Sequence, residues 1–398
     1  MYTKRTLSKA ILKAGEFFKV VLLTGPRQVG KTTLLEHIKE PGRVAVTLDY
    51  MDILTMARED PARFFERFPP PLLIDEVQKA PGLFPYIKAA ADRSPKKGQF
   101  WLTGSHQFDM MKNVSESLAG RVAVLDLQGF SQAEKEGDDT RPAFTPDLPM
   151  NTQRPVWSAE KTFDVLAKGS FPQLFDGTPP RLFYSSYVRT YIERDVRALL
   201  NIANGQTFMK FLKVAAARTG QQLNYNNMAR DLEASVNTVK SWVSVLEATG
   251  LVFLLPPYFR NLTKRAVKTP KMYFWDTGLC CYLTGITSGK MAVDHPLGGA
   301  LFETYVVSEI LKSHWHNGER PFVYYYRDAA GVEIDLLLEA DGKLWPVEIK
   351  QTSSPNANMV KAFDVIPQNE RGKGAIVCLA PRFIPLNREV NIIPAGHI

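Results

Sequence analysis

The sequence predicts an α/β chain of several units, and three observations carry that expectation. Short apolar runs alternate with helical patterns from about Lys19 to Leu127, as in a mostly parallel sheet covered by helices. Helical periodicity takes over from about Ala159 to Thr249. Strand-like alternation returns near Val323 and runs to the end. At ~150 residues per domain, 398 residues suit about two to four units.

Composition narrows the class. With 45% hydrophobic and 23% charged residues, the chain is neither disordered, collagen-like nor a coiled coil. No apolar run approaches the ~18–20 residues that span a bilayer, so a membrane partner is not expected. The opening MYTKRTLSKAILKAGEFF reads as an amphipathic helix interrupted by Lys9 and Lys13, without the apolar stretch of a signal peptide. Three cysteines, two of them the adjacent Cys280 and Cys281, make no disulfide framework, and a cytoplasmic location is expected. Lys and Arg outnumber Asp and Glu by 49 to 41, a net charge of +8. Nucleic acid is the commonest anionic partner of such a chain, and a basic surface without a partner is the alternative.

The first unit carries the clearest chemistry. Its strands are read at Lys19–Leu23, Val44–Leu48, Pro71–Ile74, Phe100–Leu102 and Val122–Leu127. After the first comes Gly25-Pro26-Arg27-Gln28-Val29-Gly30-Lys31-Thr32, a GxxxxGK[ST] loop, and Thr33 leads into a helical pattern. Strand, glycine loop and helix are the context the motif requires. Glycines let N–H groups turn in around a β-phosphate, and the helix start adds a favourable dipole. Lys31 would reach the β/γ oxygens of ATP, and the Thr32 hydroxyl would ligate Mg²⁺.

A second apolar run ends in Asp75 and Glu76. Asp75 would hold Mg²⁺ through water and Glu76 would polarise the attacking water. With strand order 5-1-4-3-2, the run Phe100–Leu102 falls between the two motif strands, so Thr103 or Ser105 would sense the γ-phosphate. Arg121, just before the last strand, would face the nucleotide of a neighbouring subunit if copies form a ring.

GPRQVGKTTL, the DEVQKAP continuation, LTGSHQF and SLAGRV together resemble the AAA+ ATPases of the AAA_14 type. YIERDV (Tyr191–Val196) and KTPKMYFWDTGL (Lys268–Leu279) are similar to the same family, in which the core is usually followed by a DUF4143 region of restriction-endonuclease-like fold. The resemblance implies a Walker B pair at Asp75 and Glu76 and an arginine finger at Arg121. It also implies a helical lid in which Arg194 would contact nucleotide in cis.

In the middle, residues 206–250 break into three helical patterns, the third capped by Ser235 and carrying Val239, Trp242, Val243 and Leu246 on one face. A strand, Leu251–Leu255, follows. This is the winged helix-turn-helix plan, with Asn237, Thr238, Lys240 and Ser241 near the exposed start of the third helix. The next stretch holds Arg260, Lys264, Arg265, Lys268 and Lys271 without an acidic residue, which favours phosphate contact by DNA. Winged helices also bind proteins, and that alternative stays open.

Near the C-terminus two strands, Val332–Leu338 and Leu344–Lys350, flank the hairpin turn Ala340–Lys343. Side-chain alternation brings Asp335, Glu348 and Lys350 together, with Glu303 on an upstream helix. D-x12-E-x-K with an upstream Glu resembles the PD-(D/E)XK nuclease core. In that core Glu303, Asp335 and Glu348 would hold Mg²⁺ and Lys350 would position water, while an inactive or purely DNA-binding use remains open. His314 and His316 are not expected to bind zinc, because no third ligand is near in sequence.

The expected chain has an AAA+ core at 1–135, a linker and lid at 136–205, a winged helix at 206–275 and a nuclease-like α/β domain at 276–398. The expected activity is Mg-ATP hydrolysis coupled to binding or remodelling of duplex or branched DNA by a homo-oligomer. An ATP-gated nuclease and a nucleotide-controlled protein switch are the alternatives.

Overall fold

A computed structural model of the chain describes residues 2–104, 114, 117–147, 157–197, 205–260 and 269–398, apart from the side chains of 193–195. The first unit runs α1 (Leu7–Phe17), β1 (Val20–Thr24), α2 (Lys31–Ile38), β2 (Val44–Thr47), α3 (Met51–Glu59), α4 (Pro61–Arg67), β3 (Leu72–Asp75), α5 (Leu83–Arg93), β4 (Phe100–Thr103) and β5 (Val122–Asp126). All four strand pairings are parallel, in the order β2-β3-β4-β1-β5. The three inner strands, VVLLT, LLID and FWLT, are buried along their whole length. That is why they read as continuous apolar runs and not as alternations.

The two faces of this sheet enter different interiors. Val20, Leu22, Leu72, Ile74, Phe100 and Leu102 pack with Leu54, Phe64, Phe84 and Ile87 from the helices on one side. Val21, Leu23, Leu73 and Trp101 face a larger core that includes Leu7 and Ile11 of α1 and continues to Phe302, Ile393 and Ile398.

After the short α6 (Gln132–Lys135), the described part of the expected linker is tied down. Phe144 is buried and its N–H donates to Ser313 Oγ at 2.9 Å, while Arg141 Nη1 donates to Ile398 O at 2.7 Å. Next come α7 (Ala159–Lys168) and α8 (Pro180–Tyr187), which runs on as a π-helix over Val188–Val196.

The middle segment runs α9 (Gly205–Ala216), β6 (Gln221–Gln222), α10 (Tyr225–Leu232), α11 (Val236–Ala248), β7 (Val252–Leu255) and β8 (Lys271–Phe274). Asn224 and Ser235 cap α10 and α11 by accepting from Asn227 N and Thr238 N. Val239, Trp242, Val243 and Leu246 are buried on one face of α11, and β6-β8-β7 form a small antiparallel sheet.

The string that follows has a structural explanation. Asp276 caps α12 (Thr277–Thr284) by accepting from Leu279 N at 2.7 Å, and it also accepts from Tyr184 OH at 2.6 Å and Ser170 N at 2.7 Å. A Cβ at Gly278 would lie 2.8 Å from Lys168 O, so glycine is required for this close approach.

After α13 (Gly289–Asp294), α14 (Gly298–His316) is apolar nearly all round because it runs through the interior. His314 and His316, read together from sequence, sit in its last turn with separate partners; His314 Nε2 lies 2.9 Å from Phe144 O. The final sheet holds β9 (Phe322–Arg327), β10 (Glu333–Ala340), β11 (Lys343–Lys350), β12 (Gly374–Cys378), β13 (Ile384–Pro385) and β14 (Val390–Pro394), in the order β13-β14-β12-β11-β10-β9. The β10–β11 hairpin turns at Asp341 and Gly342, both left-handed (φ 51° and 70°). No helix among the described residues is long and apolar enough to cross a membrane.

Candidate active site

The glycine loop leaves the end of β1 and enters α2 through three left-handed residues, Gly25 (φ 141°), Gln28 (φ 62°) and Gly30 (φ 90°). A Cβ on Gly25 would sit 2.0 Å from Leu127 O, so only glycine lets the loop pass beside the chain leaving β5. The remaining loop residues are walled in: the Arg27 guanidinium lies over the Tyr191 ring at 5.2 Å, Val29 is buried, and Pro26 packs against Gly250. Thr33 is exposed in the first turn of α2.

Lys31 is buried and donates to Gly25 O at 2.9 Å and Pro26 O at 2.8 Å. Burial pushes its ammonium down to about 8, while Glu76 and Asp75 hold it up and Arg27 lowers it further. An ammonium buried among neutral carbonyls is a group that gains from an added anion.

The carboxylates sit beside it. Thr32 Oγ1 donates to Asp75 Oδ1 at 2.6 Å, and Thr103 Oγ1 donates to the same oxygen. Thr103 also accepts the Glu76 N–H at 3.1 Å. Thr103 therefore braces both carboxylate residues from the neighbouring strand, and Ser105 lies outside the described residues. Glu76 is left-handed (φ 56°), which turns its side chain out of the strand line, and Gln78 donates to its carboxylate. The Thr32 hydroxyl and Asp75 carboxylate supply hard oxygens of the kind Mg²⁺ takes, so these residues fit that ion.

Arg121 stands elsewhere. It precedes β5 at the level of Val20, whereas the loop leaves the opposite end of β1, ~15 Å away at the usual rise per residue. Its guanidinium grips Asp92 of α5 through two contacts, 2.5 and 3.1 Å, and donates to Ala119 O. That pairing holds the Asp92 carboxyl below its usual range. Arg121 thus makes no contact with the loop of its own chain. The Arg194 side chain lies outside the described residues.

The C-terminal carboxylates form a different kind of cluster. Lys350 Nζ stands 2.6 Å from Glu348 Oε1 and 3.2 Å from Asp335 Oδ2, and Asp335 also accepts Ile349 N at 2.8 Å. Glu303 Oε1 accepts from Tyr273 OH at 2.6 Å and Lys271 Nζ at 3.0 Å, and Lys271 also pairs with Glu333 at 2.6 Å. Burial, then Asp335, pushes the Glu348 carboxyl up, while the Lys350 ammonium draws it back down. The buried Oε2 of Glu348 has no hydrogen-bond partner among the described residues.

The carboxylates expected to hold a metal, Glu303, Asp335 and Glu348, lie close enough that Asp335 adds to burial in raising the proton affinity of both glutamates. Among the described residues no three His, Cys, Asp or Glu side chains come together as a metal-holding group. Two lysines already supply the positive charge there, and one of them, Lys271, comes from β8. Lys271, expected in a phosphate-contacting stretch, is instead buried.

Of the remaining expected DNA contacts, Lys240 is exposed near the start of α11, beside the Tyr225 ring. Thr238 Oγ1 is 2.7 Å from Ser235 Oγ in the helix cap, and Arg260 pairs with Glu370 at 3.2 Å. Lys264, Arg265 and Lys268 lie outside the described residues.

Residues 17–135 match the family model AAA_14, described as an AAA domain, and residues 298–398 match DUF4143, a domain of unknown function. The matches put an AAA domain in the first third of the chain and a DUF4143 domain at its C-terminal end. A third model, DUF8612, also a domain of unknown function, covers 159–290, from α7 into α13. Two uncharacterized proteins, Rv2008c of Mycobacterium tuberculosis and Mb2031c of Mycobacterium bovis, are each 28% identical to this chain over 383 residues, 95% of this chain and 80% of theirs. Among solved structures, the Walker-type ATPase PABY2304 of Pyrococcus abyssi is 14% identical with a TM-score of 0.40, covering 70% of this chain and 94% of that one. AMPPCP-bound DnaA of Aquifex aeolicus is also 14% identical, with a TM-score of 0.28 over 61% of this chain and 85% of its own. Scores this low carry no statement about this chain.

Proposed function

We propose that the chain binds Mg-ATP at the loop Gly25–Thr33 and hydrolyses it. The observation that carries this reading is the buried Lys31 beside Asp75 and Glu76, at the ends of strands joined through β4. Lys31 would neutralise the phosphates, Thr32 and Asp75 would hold Mg²⁺, which draws charge off the phosphoryl group, and Glu76 would orient water. ATP turnover by the parent protein and its loss in Glu76→Gln test the reading. A parental rate in Glu76→Gln would remove the role of that carboxylate.

The same proposal gives Arg121 a role in trans. Its distance from its own loop suits a residue serving a neighbouring copy, once the Asp92 pair opens.

We infer further that hydrolysis is coupled to DNA through the middle segment. Support comes from the order helix, strand, helix, helix and hairpin, from exposed Asn237, Lys240 and Ser241 at the start of α11, and from the net charge of +8. Binding to single-stranded, duplex and branched DNA at low salt is the test, with Lys240→Ala expected to lower the salt slope by about 1. The buried Lys271 and the paired Arg260 favour a second reading, a nucleotide-controlled protein switch. No DNA binding at low salt would select it.

A further inference from the structure

We propose that Arg5, held by Glu134 and by His316 of α14, is a positioning residue for nucleotide binding, so that ATP affinity is set in part by a DUF4143 helix. The proposal rests on the ATPase reading above.

A loop that wraps an anion turns its N–H groups inward, so its carbonyls point outward and need donors of their own. Lys31 serves Gly25 O and Pro26 O. Val29 O, next to the left-handed Gly30, receives Arg5 Nη1 at 2.9 Å. The same guanidinium donates through Nη2 to Gln128 O at 2.7 Å and Gly129 O at 3.3 Å, where the chain leaves β5. One planar fork thus ties the phosphate loop to the segment beside it, a task suited to arginine and not to a single ammonium.

Arg5 is 3% exposed, and a charge so buried requires an anion. Glu134 Oε1 supplies it, 3.1 Å from Nε. Glu134 is itself fixed by a capping box with Ser131 and by the Thr6 N–H at 2.9 Å. Burial would raise its carboxyl, yet Arg5 and then His316 hold it well below the usual carboxylate range.

His316 touches both ends of this clamp. Its Nδ1 stands 3.3 Å from Glu134 Oε2, and its Nε2 accepts the Gln128 N–H at 3.3 Å. Burial lowers its proton affinity, so the ring is neutral and Nε2 is free to accept. Two further residues of α14 hold the same segment. Lys312 Nζ donates to Phe130 O at 3.0 Å, and Glu309 Oε2 accepts Gln132 N at 2.8 Å. Residues 309, 312 and 316 share one helix face. That face grips 128–132, which Arg5 joins to the loop. Arg5 and His316 both lie outside the stretch matched to the AAA domain.

The test measures ATP turnover by the full-length chain with the variants Arg5→Gln, Arg5→Lys, His316→Ala and His316→Gln. Losing a charged hydrogen bond at the loop should raise KM for ATP about 10-fold or more, with kcat little changed, in Arg5→Gln and His316→Ala. His316→Gln should recover part of the loss, because its amide both donates and accepts. A purely structural clamp would lower the melting temperature and leave KM unchanged, which would overturn the proposal. Because a variant can fail to fold, the parent protein gives a second readout. By reciprocity, Mg-ATP should slow amide exchange at residues 128–132 and in the last turns of α14. No such slowing would overturn it too. Absence of ATP binding by the parent would instead sink the ATPase reading, a distinguishable result.

Discussion

Replacing Lys31 with Met should abolish ATP binding and yet stabilise the nucleotide-free protein. The buried ammonium has its proton affinity lowered from 10.5 to about 8. At ~1.4 kcal/mol per tenfold change, holding that charge inside costs about 3 kcal/mol at neutral pH. Met fills similar space without charge, but leaves Gly25 O and Pro26 O without their donor, which returns roughly 1 kcal/mol each. The net gain is about 1 kcal/mol, or some 2–4 °C in melting temperature.

The sign with pH follows from linkage. Below about 8 Lys31 is protonated whether folded or unfolded, and the full penalty is present. Between about 8 and 10.5 the unfolded chain holds the proton and the folded chain loses it, so the parent gains stability as pH rises. The advantage of Lys31→Met should therefore be largest at pH 7 and shrink, or reverse, by pH 10. Thermal melts of both proteins without nucleotide from pH 6.5 to 10 read this directly. A variant less stable than the parent at pH 7, or a difference constant up to pH 10, would refute the reasoning.

Other outcomes follow from the same geometry. Glu76→Gln should keep ATP affinity while single-turnover hydrolysis slows at least about 100-fold, since water loses its orienting base. Thr103→Val removes the hydroxyl that braces Asp75 and leaves the Glu76 N–H unpaired; steady-state kinetics should show kcat falling about 10-fold or more with a smaller change in KM. Lys271→Met leaves Glu303 without its cation and Glu333 with Arg327 alone, and a loss of about 3–5 kcal/mol should lower the melting temperature by on the order of 10 °C. Arg121→Ala should bind ATP but hydrolyse it about 10³-fold more slowly, and mixing it with Glu76→Gln should restore turnover. Unchanged turnover by Arg121→Ala would end the trans role.

Local signals carried much of the first unit. Each core strand is an apolar run ended by a loop, and buried parallel strands must look that way; Gly25, Gly30, Lys31, Asp75 and Glu76 lie within motifs of fixed spacing. The Ala340–Lys343 turn and the buried face of α11 were legible for the same reason. What escaped was built by residues far apart in sequence. Arg5 meets Glu134 and Gln128, and His316 meets both, with no periodicity or spacing to announce it. Lys271 looked like its basic neighbours because charge alone does not say whether a lysine faces solvent or two buried carboxylates. The position of Arg121 just before β5 is legible in the sequence, but its grip on Asp92 depends on where α5 docks, which no local pattern encodes.

The interior shared by the core sheet and the DUF4143 region bears on how such a chain is inherited. Val21, Leu23, Leu73 and Trp101 lie in the same apolar mass as Phe302 and Ile393. A genetic cut between residues 135 and 159 would bare that mass on both products, and recombination there would hand each half a foreign surface that does not match. The half with the AAA domain and the C-terminal half must then change in step, a substitution on one wall selecting its complement on the other. Boundaries between family models mark where sequence likeness changes. They do not mark a seam along which this protein could be traded as separate modules.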